Sequence, residues 1–194
     1  MRTMTRATLA VLGVVIAVVA GCGTTPDPVF YTLSAAEPAP AGASSLSVAV
    51  GPVTIPDVID RPQLVTSSGD NRVELHEFHR WAQPLSTEIP RVVSAQLGRE
   101  LGTSRAGAST DVALSDPDYR VLIDVQRFEF RRGKTATFEA LWAVRSRSGG
   151  ARSGRTLAEE RVADNSYDAL VAAQRRALGV LSRDIGKSIQ ALQR

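Results

Sequence analysis

The sequence is poor in cysteine, histidine and aromatic residues. Its 194 residues include one cysteine, two histidines and only 5% aromatic side chains. A single cysteine excludes both an internal disulfide and a zinc site built from four cysteines. The remaining composition, 43% hydrophobic and 22% charged, excludes a fully disordered chain and a collagen-like repeat. A chain of this length favours one globular domain.

Motifs of catalysis are also missing from the sequence. It has no Gly-x-Ser-x-Gly elbow, no Walker loop and no dinucleotide-binding fingerprint. His76 and His79 are three residues apart on a predicted strand, where residues i and i+3 point to opposite faces. The zinc-peptidase motif instead needs two histidines four apart on a helix. The sequence therefore predicts no metal site, no cofactor and no enzymatic activity, although composition alone leaves a Ser-His-Asp triad open.

The N-terminus has the pattern of a secretory signal peptide. Arg2 and Arg6 precede the uncharged apolar run 7–20, which is too short to cross a bilayer comfortably as a helix. The run leads through Val-Ala-Gly into Cys22, which resembles the bacterial lipobox, whose cysteine is lipidated and becomes the first residue. We therefore interpret residues 1–21 as a lipoprotein signal peptide and Cys22 as the lipidation site, which is expected to incorporate palmitate. An ordinary signal peptide or a short membrane anchor is the alternative.

Charge and anchoring bear on the partners of the mature chain. Without Arg2 and Arg6, 21 of the 23 basic residues remain against 20 acidic ones, and this small excess of positive charge gives no argument for a nucleic-acid partner.

Acyl chains on Cys22 would hold the protein at a membrane, since each buried methylene contributes about 0.8 kcal/mol. The residue after the cysteine is Gly23. In enterobacterial lipoproteins, which this N-terminus resembles, aspartate at that position favours retention in the inner membrane. The resemblance therefore implies that this protein is sorted to the outer membrane.

The mature chain divides into a tether and one domain. Residues 22–45 are rich in proline, alanine, glycine and serine, which predicts an acylated N-terminus and a flexible tether. The β-prone stretch 29–33 interrupts this segment and is expected to dock onto the domain as an edge strand. Residues 46–194 are predicted to form a single α+β lipoprotein domain.

Hydrophobic periodicity predicts the elements of that domain. Alternating apolar residues predict strands at 46–55, 63–67, 72–78, 119–130, 136–144 and 156–163. Apolar residues at three- and four-residue spacing predict helices at 85–101 and 167–192. Ser86 and Ser166 are the expected N-caps, Gly102 is the expected end of the first helix, and the polar segment 103–117 is predicted to be a loop. The pattern favours a two-layer sandwich, with a largely antiparallel sheet and two amphipathic helices on one face.

Basic side chains cluster at the turn between two of the predicted strands. Arg131, Arg132 and Lys134 would lie together at one end of this hairpin. There they are candidate contacts for lipid phosphates or for an acidic partner. The alternative is that they are solvated strand ends that resist edge pairing.

A second group of residues flanks the predicted hairpin 63–78. Arg61 and Pro62 precede the hairpin, and Arg80 and Trp81 follow it, so the turn would bring all four to one edge of the domain. Tryptophan and arginine are favoured in interfaces, and connections on a rigid scaffold are common docking sites. These four are the candidate partner or oligomer interface. The alternative for Trp81 is a structural role, stapling the start of the next helix into the core.

Several short motifs occur in a fixed order along the mature chain. After Cys22 these are Phe30-Tyr31-Thr32-Leu33, Gly51-Pro52-Val53, Ile55-Pro56, Asp60-Arg61-Pro62-Gln63-Leu64-Val65, Arg80-Trp81-Ala82-Gln83-Pro84-Leu85 and Leu181-Ser182-Arg183-Asp184-Ile185. Their joint order resembles the auxiliary lipoproteins of ABC-type transport systems, the paraquat-inducible protein C (PqiC, or YmbA) group. The resemblance covers essentially the whole mature chain, although segments 103–117 and 147–156 match nothing in it.

This resemblance implies a non-enzymatic outer-membrane lipoprotein that faces the periplasm. It would be the auxiliary docking component of a mammalian-cell-entry (MCE) lipid transport system and would support envelope integrity. Its implied partner is an MCE-domain protein that bridges the periplasm as a tunnel, and a symmetric tunnel favours a homo-oligomeric ring. A lipoprotein that regulates an envelope enzyme, such as a cell-wall synthase, is the alternative, and a small hydrolase comes third.

Overall fold

The computed structural model describes residues 25–33, 44–69 and 71–194. The predicted signal peptide 1–21, the lipidation site Cys22 and much of the predicted tether lie outside these residues. Within the described part of the chain, no helix is both long enough and apolar enough to cross a membrane.

The described residues form eight strands and two α-helices. The strands are β1 (Val29–Tyr31), β2 (Ser44–Thr54), β3 (Gln63–Ser67), β4 (Val73–Trp81), β5 (Thr103–Ala108), β6 (Tyr119–Arg131), β7 (Thr135–Ser146) and β8 (Ala151–Arg161). The helices are α1 (Leu85–Leu101) and α2 (Tyr167–Leu192), and a short 3₁₀ turn covers Val112–Leu114. Both helices match the predicted bounds, and β1 is the expected edge strand within the predicted tether.

The strands form two mixed sheets. The larger sheet has the order β5-β2-β6-β7-β8, in which β2 runs parallel to β5 and β6, while β6, β7 and β8 form antiparallel pairs. The smaller sheet has the order β1-β4-β3, in which β1 runs parallel to β4 and β3 runs antiparallel to it. The predicted α+β sandwich is confirmed, with its strands shared between two sheets.

Both helices pack against the larger sheet and against each other. Helix α1 lies on β2 and β5, and α2 lies on β7 and β8. The apolar stripe of α2 is fully buried at Leu170, Leu178, Leu181, Ile185 and Ile189. Each such side chain contributes about 1.5–3 kcal/mol when it is removed from water, so this interface accounts for much of the core.

The ends of the helices differ in one respect from the predictions. Ser166 caps α2, since its side chain accepts a hydrogen bond from the backbone N–H of Ala169 (3.1 Å). Gly102 ends α1 in the left-handed conformation (φ 63°), as expected. The prediction of Ser86 as the N-cap of α1 was wrong, because Pro84 occupies that position and its carbonyl already accepts the first helical hydrogen bonds.

The prediction of a loop over 103–117 was wrong for its first part. Strand β5 occupies Thr103–Ala108 and pairs in parallel with β2. Its residues are either small or polar, so they lack the alternation of large apolar side chains that marks a strand in sequence. The neighbouring strand β2 supplies the pairing, and the Thr103 hydroxyl donates to the carbonyl of Leu46.

Candidate partner-docking site

Arg61, Pro62 and Trp81 line one pocket of about 330 Å³ at the end of the smaller sheet, where β3 begins and β4 ends. The other lining residues are Asp60, Ala82, Gln83 and Pro84. The backbone N–H of Trp81 donates to the carbonyl of Pro62 (2.7 Å), which joins the connection before β3 to the end of β4. We call this feature the Arg61 pocket. It brings together three of the four candidate interface residues.

Trp81 forms both the wall of this pocket and part of the core. Its side chain is 5% exposed, and its ring lies 6.1 Å from that of Phe128 and 6.2 Å from that of Phe130. These contacts fix the indole, so the pocket has a rigid apolar wall.

Arg80 lies apart from the Arg61 pocket. Neighbouring residues on a strand point to opposite faces, and Arg80 therefore faces away from Trp81. Its Nε donates to the carbonyl of Glu77 (2.7 Å), and its Nη2 lies 3.4 Å from the Glu77 carboxylate. Across the β1–β4 pair it is in register with Phe30, which is 60% exposed.

Arg61 carries an unsatisfied hydrogen-bond donor. Its Nε is buried and has no acceptor within the described residues. Buried polar groups are almost always hydrogen-bonded, and an unpaired one lowers stability by about 1–3 kcal/mol. An arginine left in this state beside an open pocket is suited to a ligand that brings its own acceptor.

The structure separates the three residues predicted to contact anionic groups. Arg131 lines a second cavity, together with Arg72 and Arg127. Arg132 instead donates to the carbonyl of Asn165 (3.0 and 3.3 Å), and its guanidinium lies 4.8 Å above the ring of Tyr167. Lys134 is exposed in the turn. These contacts give Arg132 a structural role at the start of α2.

Four aromatic side chains form a cluster that the sequence did not predict. Tyr31, His76, His79 and Tyr167, here called the His–Tyr cluster, join β1, β4 and α2. The Tyr31 hydroxyl lies 2.9 Å from Nδ1 of His79, and the Tyr167 hydroxyl lies 2.9 Å from Nδ1 of His76. The rings of His79 and Tyr167 stack at 3.7 Å. The cluster fastens the first strand and the last helix to the smaller sheet.

The prediction that His76 and His79 point to opposite faces was wrong. Strand β4 is irregular here, since Arg80 pairs with Gln63 while His76 pairs with the next residue, Leu64. The extra residues of β4 bring both imidazoles to one side, with ring centroids 6.4 Å apart. Within the described residues, no group of three or more His, Cys, Asp or Glu side chains is arranged to hold a metal ion.

Burial changes two pKa values in this cluster. It lowers the pKa of His76 from 6.5; Arg132 and His79 add to this effect and Glu74 opposes it. It also raises the pKa of Tyr31, with smaller contributions from Asp168 and Tyr167. His76 is therefore neutral at pH 7, and its ring nitrogens bond the hydroxyls of Thr66 and Tyr167.

The chain just after β1 is held by a buried carboxylate. Glu88 of α1 is only 1% exposed, and it accepts hydrogen bonds from the Thr32 hydroxyl (2.6 Å) and from the backbone N–H of Leu33 (2.9 Å). The carbonyl of Tyr31 accepts from the N–H of Ala82, beside the Arg61 pocket. The segment that leads from the predicted lipid anchor is thus bonded to the wall of that pocket.

Comparison with known proteins identifies the family of this chain. The sequence profile of the ABC-type transport auxiliary lipoprotein component matches residues 31–186, a range that begins at the last residue of β1, covers β2 to β8 and includes the Arg61 pocket. The chain belongs to this auxiliary lipoprotein family. Among the curated proteins, none matches the sequence.

Solved structures share the fold of this auxiliary lipoprotein. The crystal structure of an uncharacterised protein is similar with a TM-score of 0.70 and 19% identity, over 84% of this chain and 99% of that chain. A Xanthomonas campestris protein of the DUF330 family is similar with a TM-score of 0.59 and 18% identity, over the same shares of the two chains. At these identities the likeness concerns the fold alone.

Proposed function

We propose that this auxiliary lipoprotein is a non-enzymatic docking component at the outer membrane, facing the periplasm, in an MCE-type intermembrane lipid transport system. The observation that carries the proposal is the Arg61 pocket. It combines a fixed apolar wall, Trp81, with an arginine whose buried Nε lacks an acceptor. These are the properties of a site that binds another protein, where buried tryptophan and arginine contribute most of the affinity.

The position of the Arg61 pocket supports the same function. The chain from the predicted anchor at Cys22 enters the fold at β1 and bonds to Ala82 in the pocket wall. A partner bound in the pocket would therefore be held close to the membrane that carries the acyl chains. We propose that this partner is the MCE-domain protein that bridges the periplasm.

The exposed face beyond the pocket is the proposed contact between copies of the chain. Phe30 and Arg80 lie side by side on this face, one with a large apolar surface and the other with a charge. A ring of identical subunits would match a symmetric tunnel and would repeat the Arg61 pocket around its axis.

Site-specific crosslinking in native envelopes tests the docking function. A photo-crosslinking residue at Ala82, which is exposed in the pocket wall, is compared with the same residue at Ser153, which is exposed on β8. We expect the Ala82 variant, and not the Ser153 variant, to capture an MCE-domain protein. Capture of a cell-wall synthase at Ala82 would favour the alternative function, and equal capture of the MCE-domain protein at both positions would contradict docking at the pocket.

A further inference from the structure

A second cavity, of about 360 Å³, opens where the β3–β4 hairpin meets β6. Its apolar wall consists of Pro56, Val58, Ile59, Val65, Val73 and Phe128. Its charged residues are Arg72, Arg127, Arg131 and Glu129, so the described lining has three positive charges against one negative charge. Asp70, which follows Gly69 in the sequence, lies outside the described residues. We call this feature the Arg72 cavity, and its described lining combines apolar side chains with a net positive charge.

Large apolar side chains are exposed at the mouth of this cavity. Val58 is 47% exposed and Val73 is 52% exposed, and both belong to the lining. Leu75, which is 43% exposed, pairs across the hairpin with Val65 of the cavity wall. Adjacent exposed apolar residues mark a surface that contacts another apolar group. The arginines and the valines together therefore favour a ligand with an anionic group and an apolar part.

Three arginines contribute to the lining of the cavity. Arg72 precedes β4 and Arg131 ends β6, so they approach from the two elements that border the cavity. Arg127 donates to both carboxylate oxygens of Glu129 (3.2 and 3.0 Å), and these side chains are 44% and 33% exposed. Exposed ion pairs contribute little stability, so exchange of the carboxylate for a phosphate costs little. The guanidinium group matches phosphate geometry with two parallel donors.

We propose that the Arg72 cavity binds one anionic phospholipid through its headgroup. The headgroup phosphate lies among Arg72, Arg127 and Arg131, and the first part of the acyl chains covers Val58 and Val73. Pockets of roughly 300–1,000 Å³ hold drug-sized ligands, so this cavity takes a headgroup and glycerol while the rest of the lipid stays outside. The proposal goes beyond docking, because it places lipid in direct contact with the domain, and it does not depend on the identity of the docked partner.

The test measures lipid binding by the purified, full lipidated chain in neutral detergent without any partner. The probes are short-chain phosphatidylglycerol, short-chain phosphatidylcholine and inorganic phosphate, each titrated while amide chemical shifts of the cavity residues are followed by NMR. One variant combines Arg72→Gln with Arg131→Gln. Its matched control combines Arg152→Gln with Arg175→Gln, which removes the same charge at two exposed positions outside the cavity. A third variant combines Val58→Ser with Val73→Ser.

We expect saturable binding of phosphatidylglycerol that is at least tenfold tighter than binding of phosphatidylcholine or phosphate. The Arg72/Arg131 variant should lose about tenfold or more in affinity, as expected for removal of charge-assisted hydrogen bonds, while the control variant keeps its affinity. The valine variant should weaken binding of both phospholipids and leave binding of inorganic phosphate unchanged, because only the lipids carry acyl chains. Melting temperatures show whether each variant is folded, and all replaced side chains are exposed.

Three results would overturn the proposal. Equal affinity for the two lipids would show that the cavity does not recognise the net charge of the headgroup. Equal affinity for phosphate and phosphatidylglycerol would show a free-phosphate site. Equal loss in the cavity variant and the matched control would show only non-specific attraction to a basic surface. Each result leaves the docking function untouched, since no partner protein is present.

Discussion

The hydroxyl of Tyr31 lies 2.9 Å from Nδ1 of His79, and this bond joins the strand nearest the predicted anchor to the centre of the smaller sheet. Strand β1 has only three residues and lies at an edge, so it depends on such side-chain contacts as well as on its pairing with β4. We therefore expect its attachment to be sensitive to the His–Tyr cluster.

Replacement of Tyr31 by phenylalanine tests this attachment. The change removes the hydroxyl from a buried side chain and leaves His79 with one hydrogen bond fewer, which should lower the free energy of unfolding by about 1 kcal/mol. Chemical denaturation gives the stability, and hydrogen exchange of the β1 amides should rise more than that of β7. Tyr119→Phe is the control, because the Tyr119 hydroxyl has no hydrogen bond within the described residues; an equal effect of both changes would contradict the prediction.

Stability should depend on pH through His76. Its pKa in the folded protein lies below 6.5, because burial, aided by Arg132 and His79, outweighs the opposing effect of Glu74. The unfolded chain therefore binds the proton more readily. The contribution of His76 to the free energy of unfolding should level off above pH 7 and should fall as the pH drops through 6.5 towards the lower, folded-state pKa. Melting curves across this window measure the slope, which His76→Gln should reduce; a protein that gains stability on acidification would refute this account.

Gly154 on β8 should not tolerate a side chain. A Cβ at this position would collide with the indole ring of Trp142 on the neighbouring strand. That ring cannot easily move, because its Nε1 donates to Thr156 (3.0 Å), whose hydroxyl donates to Asp184 (2.7 Å). Gly154→Ala should lower stability by about 1–3 kcal/mol, as overpacking usually does. Ser153→Ala, at an exposed neighbouring position, should change the melting temperature little. Similar melting temperatures of the two variants would show that a side chain at position 154 does not collide with Trp142.

Lipidation at Cys22 remains a prediction of the sequence alone. Cys22→Ser should abolish incorporation of labelled palmitate and release the protein from the membrane fraction. The folded domain should melt as before, since Cys22 is predicted to lie in the tether that precedes the domain. Labelled palmitate in the serine variant would show that the anchor is elsewhere, and density-gradient separation of the membranes tests the proposed outer-membrane location.

The sequence predicts the helices of this protein well and its polar strand poorly. Helix α1 has a continuous apolar stripe and a glycine at its end, so the local pattern alone sets its bounds. Strand β5 has no such stripe and exists because β2 offers an edge for it, which only the folded chain reveals. Parallel pairing between distant segments leaves no local signal.

The same distinction applies to the candidate site. Arg61 and Trp81 could be placed together because one hairpin separates them. The two imidazoles could not, because the irregularity at Gln63 and Leu64 moves His79 to the face of His76. The buried Glu88 that binds Leu33 was also missed, since a glutamate on an amphipathic helix is ordinarily solvated.

If Cys22 is lipidated as predicted, docking of β1 limits how far the domain can stand from the membrane. With acyl chains on Cys22, the chain meets the folded body at Val29, and an extended segment of that length covers at most about 25 Å. If the chain were first fixed at Ser44, the limit would be roughly 80 Å. With the longer connection the domain could move through a large volume above the membrane. With the shorter one it stays close to the lipid surface. The proposed periplasm-bridging partner would therefore have to reach the domain close to the membrane surface.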